Sequence, residues 1–327
     1  MNLYVISGAT GMTGNELSRQ LLKDGHLVIG FDNFFASSID TVADLLDNLR
    51  FAFHEWDINN PTQMEMLQKE VAEKAGKTDK VYYVNCAAVV HTEHFYEVNS
   101  TYQTNVDSMR IFLEMAIAAG AHAFINCSTS EVYSMQSWND HGGVREDDFL
   151  VIATAEHSQR TSYAVGKLLT EFFLKDAVQK SRILGCSIRF ANVYSKHERF
   201  AKHIIPHIID QLLAGKEVKL LDNSKVNKRT FLHNIDSCRA VLALMATDSA
   251  LDGSVYNVAT DEEITIVDLV ALIAQKMGIN DPQIVFDGHR DSDPERRILN
   301  TDKITTRTGW RPIVTLDEGL EMCIKSL

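Results

Sequence analysis

Short, unbroken apolar runs alternate with longer stretches of helical periodicity, and that alternation leaves few folds open. The runs LYVIS (3–7), HLVIGF (26–31), KVYYVNCA (80–87), AFINCS (123–128) and LGCSIRF (184–190) are apolar almost throughout. Between them, 12–24, 61–75, 99–119 and 161–180 repeat their apolar residues with a helical period. A strand that is apolar on both faces needs cover on both faces, which a parallel sheet obtains from the helices that connect its strands. The expected fold is α/β, a doubly wound parallel sheet. At 327 residues the chain is long enough for that sheet and a second unit. After residue 190 the pattern loosens into helix-like 202–214, 236–247, 265–277 and 315–326, with short strands near 217–221 and 254–258. Residues 1–189 are expected to form the sheet domain, and 190–327 mainly a smaller, partly interleaved lobe that closes over the carboxyl ends of the strands.

ISGATGMTGNEL places Gly8, Gly11 and Gly14, with Met12 between them, after the first strand and at the start of a helix. Glycines there allow a tight turn and a close backbone approach to a pyrophosphate, which the helix N-terminus then faces with its positive dipole end. In this context the turn is a dinucleotide site, and 1–189 a Rossmann-type domain. Asp32, followed by Asn33, ends the second strand; a carboxylate there bonds ribose hydroxyls and repels a 2′-phosphate, so NAD is expected rather than its phosphorylated form. Asp57, followed by Ile58, is placed to bond the adenine amine.

Charge and cysteine usage narrow the partners. A formal charge of −12 argues against nucleic acid, whose phosphates call for clustered Lys and Arg. Five cysteines without a C-x-x-C spacing indicate neither a disulfide framework nor a zinc knuckle, and His91 and His94, three apart with Glu93 between them, make a poor metal site, so no metal is expected. No apolar run approaches membrane-spanning length, and MNLYVISGATG enters a strand without a basic flank, so a cytoplasmic, non-membrane protein is expected.

CSTSEVYS (127–134) clusters Ser128, Thr129, Ser130 and Glu131 at a strand end, and SYAVGK follows with Tyr163 and Lys167. Four residues apart on a helix, these two share a face. A lone phenol titrates near ~10, but an ammonium beside it, helped by the nicotinamide's positive charge, favours phenolate. Thr129 is placed to bond the same substrate hydroxyl, a set suited to hydride transfer at an alcohol carbon.

Glycine turn, acidic strand end, Ser/Thr cluster and Tyr/Lys helix occur in the order found in the extended short-chain dehydrogenase/reductase superfamily, which the chain resembles over nearly its whole length. The resemblance is to the NAD-dependent nucleotide-sugar epimerases and dehydratases. It implies that Thr129 partners the catalytic tyrosine, and that Ser130 and Glu131 act as in the 4,6-dehydratases and UDP-glucuronate decarboxylases, the Glu removing the C5 proton in the dehydratases. RFANVYS maps a sugar or diphosphate contact onto Asn192, and AKHIIP a phosphate lysine onto Lys202. KRTFLHNID maps a nucleotide contact onto Arg229, VYNVAT points to Asn257, and DPERRILNTDKI points to the diphosphate arginine, Arg296 or Arg297. GATGMTG stands for the usual G-x-x-G-F-I-G, which leaves the turn intact but changes its packing, and Ser134 and Ser195-Lys196 stand where Gly and Gly-Pro are usual, so the loops rimming the sugar pocket differ.

The implied reaction oxidises C4 of a nucleoside-diphosphate-sugar to a transient ketone. 4,6-Dehydration is expected first; decarboxylation of a UDP-glucuronate and C4 or C5 epimerisation are alternatives on the same scaffold. An NAD-sensing regulatory protein is the non-enzyme alternative, against which the intact Tyr163 and Lys167 pair stands. Arg189 reads equally as a strand residue paired to an acid, and Asn105 as a cap or gap filler. The apolar stripes Met109, Phe112, Leu113, Ala116 and Leu168, Leu169, Phe172, Phe173 are core or subunit interface, since the family commonly forms homodimers through these two helices.

Overall fold

A computed structural model describes residues 1–89, 95–135, 142–159, 161–198, 203–289 and 294–325. The first half alternates as the sequence suggests: β1 (Leu3–Ser7), α1 (Met12–Lys23), β2 (Leu27–Asp32), β3 (Phe51–Glu55), α2 (Pro61–Ala75) and β4 (Val81–Asn85). α3 (Val98–Tyr102) runs through a π-turn at Gln103–Asp107 into α4 (Ser108–Ala118), followed by β5 (Ala123–Thr129), α5 (Thr161–Gln179) and β6 (Leu184–Phe190). Then come β7 (Asn192–Tyr194), α6 (Ile204–Leu213), β8 (Val218–Leu220), β9 (Lys228–His233), α7 (Asn234–Met245) and β10 (Asp252–Val258). The chain finishes with β11 (Glu263–Thr265), α8 (Ile266–Lys276), β12 (Ile284–Phe286), α9 (Asp302–Thr308) and α10 (Leu316–Ile324).

Seven strands pair in parallel in the order β10-β6-β5-β4-β1-β2-β3. β1 and β4 are the centre, and every residue of each is buried. Winding proceeds outward from β1 through β2 and β3 on one side and from β4 through β5 and β6 on the other. The two directions part between β1 and β4, and that switch point opens the ligand crevice at the carboxyl ends. One face is covered by α1 and α7, whose Leu17, Leu21, Val241 and Leu244 join Ile6, Val84 and Ile125 in one core. The other is covered by α2, α4 and α5, where Leu67, Phe112 and Leu174 pack on Val5, Tyr83 and Phe124.

The lobe after residue 190 is interleaved in a specific way. α7 and β10 return to the large sheet, whereas β11-β9-β7 and β12-β8 form two small sheets beside it. α6, α8 and α10 bury Ile208, Ile209, Leu269, Ile273 and Leu320 in the lobe's own core. Helix starts follow local chemistry: Asn60 accepts from Thr62 and Gln63 ahead of Pro61 at the start of α2, and Thr315 with Glu318 forms a reciprocal capping box on α10.

Candidate active site

The glycine turn is tighter than a side chain permits. Gly8 holds φ +69°, and a Cβ on it would lie 2.7 Å from the Ala87 nitrogen. A Cβ on Gly14 would sit 2.1 Å from the Gly8 carbonyl oxygen, so α1 can pass this close to the turn only as glycine. Gly11 caps α1 without a side-chain acceptor, which leaves the first-turn N–H groups, from Met12 on, available to an anion. At the end of β2, Asp32 Oδ2 accepts from the Thr10 N–H at 3.2 Å and Oδ1 from the Phe34 N–H at 2.9 Å, which fixes the carboxylate beside the turn. Exposed Asn33 accepts from the Phe35 N–H at 3.1 Å. Asp57 Oδ1 accepts from the Asn59 backbone and side-chain N–H groups at 2.8 and 2.9 Å, and Ile58 is buried beneath it. An anion-ready helix end, a cradle that any Cβ would fill and an acceptor one strand away together fit a dinucleotide.

Across the switch point, Thr129 ends β5 and its Oγ1 accepts from the Glu131 N–H at 3.1 Å, starting the turn Ser130–Tyr133. Tyr163 and Lys167 lie one turn apart on α5 and are 5% and 2% exposed. The Tyr163 ring stacks on Phe95 at 4.1 Å with 9° between the planes, and Ser162 Oγ donates to the Phe95 carbonyl at 2.9 Å. Lys167 Nζ donates to the Cys127 carbonyl at 2.8 Å, which ties α5 to β5 two residues before Thr129. Burial lowers the Lys167 pKa, and the interactions with Cys127, Cys86 and Glu171 oppose it only in part.

The sequence-predicted substrate residues divide. Arg297 Nη1 donates to Glu131 Oε1 at 2.7 Å and Nη2 to the Ser134 carbonyl at 2.9 Å, so one arginine holds both the acid and its turn. Arg296 instead pairs with Glu263, its Nε donating at 2.9 Å. Arg229 Nη1 donates to the Lys228 and Glu295 carbonyls at 2.7 and 3.3 Å. Exposed Asn192 donates to the Thr230 carbonyl at 3.2 Å. Asn257 is fully buried: its Oδ1 accepts from the Tyr133 hydroxyl at 2.7 Å, and its Nδ2 donates to the Val144 and Asn300 carbonyls at 2.9 and 3.1 Å. That side chain is committed to the interior rather than to a pocket. Lys202, His91 and His94 lie outside the described residues.

Two supporting clusters answer to the plainer readings of Arg189, a strand residue paired to an acid, and Asn105, a gap filler; the acid itself, Glu171, went unread in the sequence. Glu171, one turn after Lys167, accepts from Ser128 Oγ at 2.6 Å and from Arg189 Nε and Nη2 at 3.0 and 2.7 Å. Arg189 Nη1 continues to the Tyr133 hydroxyl at 2.9 Å, so one buried chain links α5, β5, β6 and the Glu131 turn. The spacing Tyr-x-x-x-Lys-x-x-x-Glu was the available signal. Asn105, delivered by the π-turn, clamps Val89 with both ends of its amide, at 2.7 and 3.1 Å. Among the described residues, no group of three or more His, Cys, Asp and Glu could hold a metal, and no helix is long and apolar enough to cross a membrane.

The model of a family described as NAD dependent epimerase/dehydratase matches residues 4–259. The chain belongs to that family. Its dependence on NAD agrees with the turn and with Asp32. A UDP-glucuronic acid decarboxylase of Xenopus tropicalis is 24% identical over 332 residues, covering 98% of this chain and 70% of the relative. A dTDP-glucose 4,6-dehydratase of Streptomyces griseus is 26% identical over 322 residues, covering 97% and 91%. The crystal structure of a dTDP-glucose 4,6-dehydratase from Streptomyces venezuelae, solved with NAD bound, superposes with a TM-score of 0.85 at 23% identity, covering 100% of this chain and 96% of that one. At that identity the family's fold is shared; the choice of reaction is a separate matter.

Proposed function

We propose that the chain is an NAD-dependent enzyme that oxidises C4 of a nucleoside-diphosphate-sugar and completes a 4,6-dehydration. The observation that carries this reading is the bond from Lys167 to the Cys127 carbonyl, which sets the Tyr163/Lys167 helix against the strand that ends in Thr129. Gly8, Gly11, Gly14, Met12 and Asp32 would hold the cofactor's diphosphate and ribose, with Asp57, Ile58 and Asn33 toward the adenine. When bound, NAD supplies the two-electron acceptor for C4 and the donor for C6. Thr129 Oγ1 orients the C4 hydroxyl, and Tyr163 takes its proton, the Lys167 ammonium favouring phenolate. A ketone at C4 acidifies the C5 proton, which Glu131 takes, and Ser130 donates to the C6 hydroxyl as it leaves. Arg297 keeps the Glu131 carboxylate paired until substrate arrives. Asn192, Lys202, Arg229 and Arg296 are assigned to the nucleotide and diphosphate.

Decarboxylation is a second reading, favoured by one feature: the Arg297 guanidinium beside Glu131 suits a sugar bearing a C6 carboxylate, as in the substrate named for the Xenopus relative. Purified protein with NAD, incubated with UDP-, GDP-, dTDP- and CDP-sugars including uronates, separates the outcomes by product mass: loss of water, loss of carbon dioxide or no change. Tyr163→Phe is expected to lower kcat by about 10²-fold or more. Wild-type turnover in that variant overturns the role given to Tyr163, and no turnover of any sugar by the wild type overturns the reading in favour of a sensing role.

The enzyme is proposed to act as a homodimer in the cytoplasm. Val165, Leu169 and Phe172 form one exposed stripe on α5, Phe172 at 64% exposure, with Ile111 exposed on α4. A second copy of the same two helices would cover it. Phe172→Glu should convert the dimer to monomer in sedimentation; an unchanged mass rejects this interface.

A further inference from the structure

Cys86 directly follows β4, and Cys127 lies within neighbouring β5. The β4–β5 register runs to Asn85 beside Asn126, so Cys86 and Cys127 form the next pair, and their sulfurs are 3.7 Å apart. Paired strands lie about 4.8 Å apart, within the Cα separation of about 4.4–6.8 Å that a disulfide accepts. Bringing the sulfurs to bonding distance therefore asks for side-chain rotation and a small shift of both strands, not a rearrangement of the sheet. Buried cysteines are ordinarily inert small hydrophobes, and two features separate this pair from that pattern. Cys86 is only partly buried, unlike Cys186, Cys238 and Cys323. The Cys127 thiol is drawn toward thiolate by its hydrogen bond with Cys86, which outweighs the opposing effect of burial, with a smaller pull from the Lys167 ammonium, while the same bond holds Cys86 protonated. One sulfur is thus the better nucleophile and its neighbour the resolving thiol.

We propose that Cys86 and Cys127 form a reversible modification site, a dithiol that a low-molecular-weight disulfide such as oxidised glutathione converts to an intrachain disulfide that loosens the hold on NAD. Cys127 thiolate attacks one sulfur of the small disulfide and expels a thiolate. Cys86 then gives up its proton and attacks the Cys127 sulfur, expelling the second. The protein loses two electrons and two protons, and the small disulfide gains them as two thiols. Both cysteines are wired to the site. Cys86 leads into Ala87, whose N–H donates to Ser7 Oγ at 3.2 Å and lies against the Gly8 turn, and the Cys127 carbonyl holds Lys167. Closing the gap between the sulfurs from 3.7 Å to a bond of about 2.0 Å also draws the two backbones together by a few tenths of an ångström, roughly, and that shift strains both attachments. The proposal rests on the family's cofactor and on no particular sugar reaction.

The test treats reduced full-length protein with oxidised glutathione, alkylates it after denaturation and weighs its peptides, with NAD affinity measured by calorimetry before and after. The expected result is loss of two of the five alkylatable thiols and a linked peptide joining Cys86 to Cys127. NAD binding should weaken at least about fivefold and recover fully with dithiothreitol. Cys86→Ser should bind NAD as the reduced wild type does and acquire at most a glutathione adduct. Five intact thiols after oxidation, a linkage through other cysteines, or unchanged NAD affinity in the disulfide form overturns the proposal. A chain that turns over no nucleotide-sugar leaves it standing, since no readout involves the sugar.

Discussion

Gly14 shows how much can rest on one missing methyl group. With a Cβ 2.1 Å from the Gly8 carbonyl oxygen, Gly14→Ala must push α1 off the turn, and both diphosphate-facing features go with it. We expect NAD affinity to fall by about tenfold or more, about 1.4 kcal/mol, in titration calorimetry; wild-type affinity would show that the turn does not carry the diphosphate. Residues whose role follows from spacing were legible: Gly8, Gly11 and Gly14 around a turn, Tyr163 and Lys167 on one helix face. Residues whose role depends on a distant partner were not. Glu131 and Arg297 meet across 166 positions, a pairing that no local pattern encodes. Asn257 reads like a pocket residue, yet the strand that carries it turns its amide to Tyr133 and two loop carbonyls.

Among the elements, α5 is the one that everything else positions. Lys167 fastens it to β5, and four residues on Glu171 fastens it to β6 through a buried, two-pronged ion pair with Arg189. Removing one member of such a pair strands a charge in a dry interior, whereas removing both removes the desolvation cost as well. Glu171→Gln should therefore lower unfolding free energy by about 3–5 kcal/mol in chemical denaturation, with Glu171→Leu/Arg189→Leu together less damaging than either leucine alone. Equal and additive losses would mean that the pair is ordinary packing. The long strands were legible because burial on both faces leaves apolar runs. β7, β11 and β12, of three residues each, are too short to show a period, and tertiary pairing defines them. The π-turn in the 99–119 helix was hidden because it keeps the helical pattern while rotating Asn105 toward Val89.

Taken whole, the molecule joins its two parts through His233, which ends β9 in the small lobe and caps α7 on the large sheet, its Nδ1 accepting from the Ile235 N–H at 3.3 Å. Burial pushes its pKa down from 6.5 to about 4. The unfolded chain takes up the proton first as pH falls, so stability present above pH 6.5 is lost progressively down to about pH 4 and no further. His233→Asn, which retains a capping oxygen, should flatten that slope by about 1.4 kcal/mol per pH unit in urea denaturation across this window. A slope unchanged by the substitution would assign the acid sensitivity to other groups. The large sheet joins the two parts more literally still, because β6 is flanked on its outer side only by β10, which the chain supplies after the small lobe has begun. A ribosome therefore exports a greasy, half-paired ribbon long before its neighbour emerges, and any message broken between codons 190 and 252 leaves that ribbon open for good. The chain therefore cannot be cut between β6 and β10 without leaving the outer edge of β6 bare.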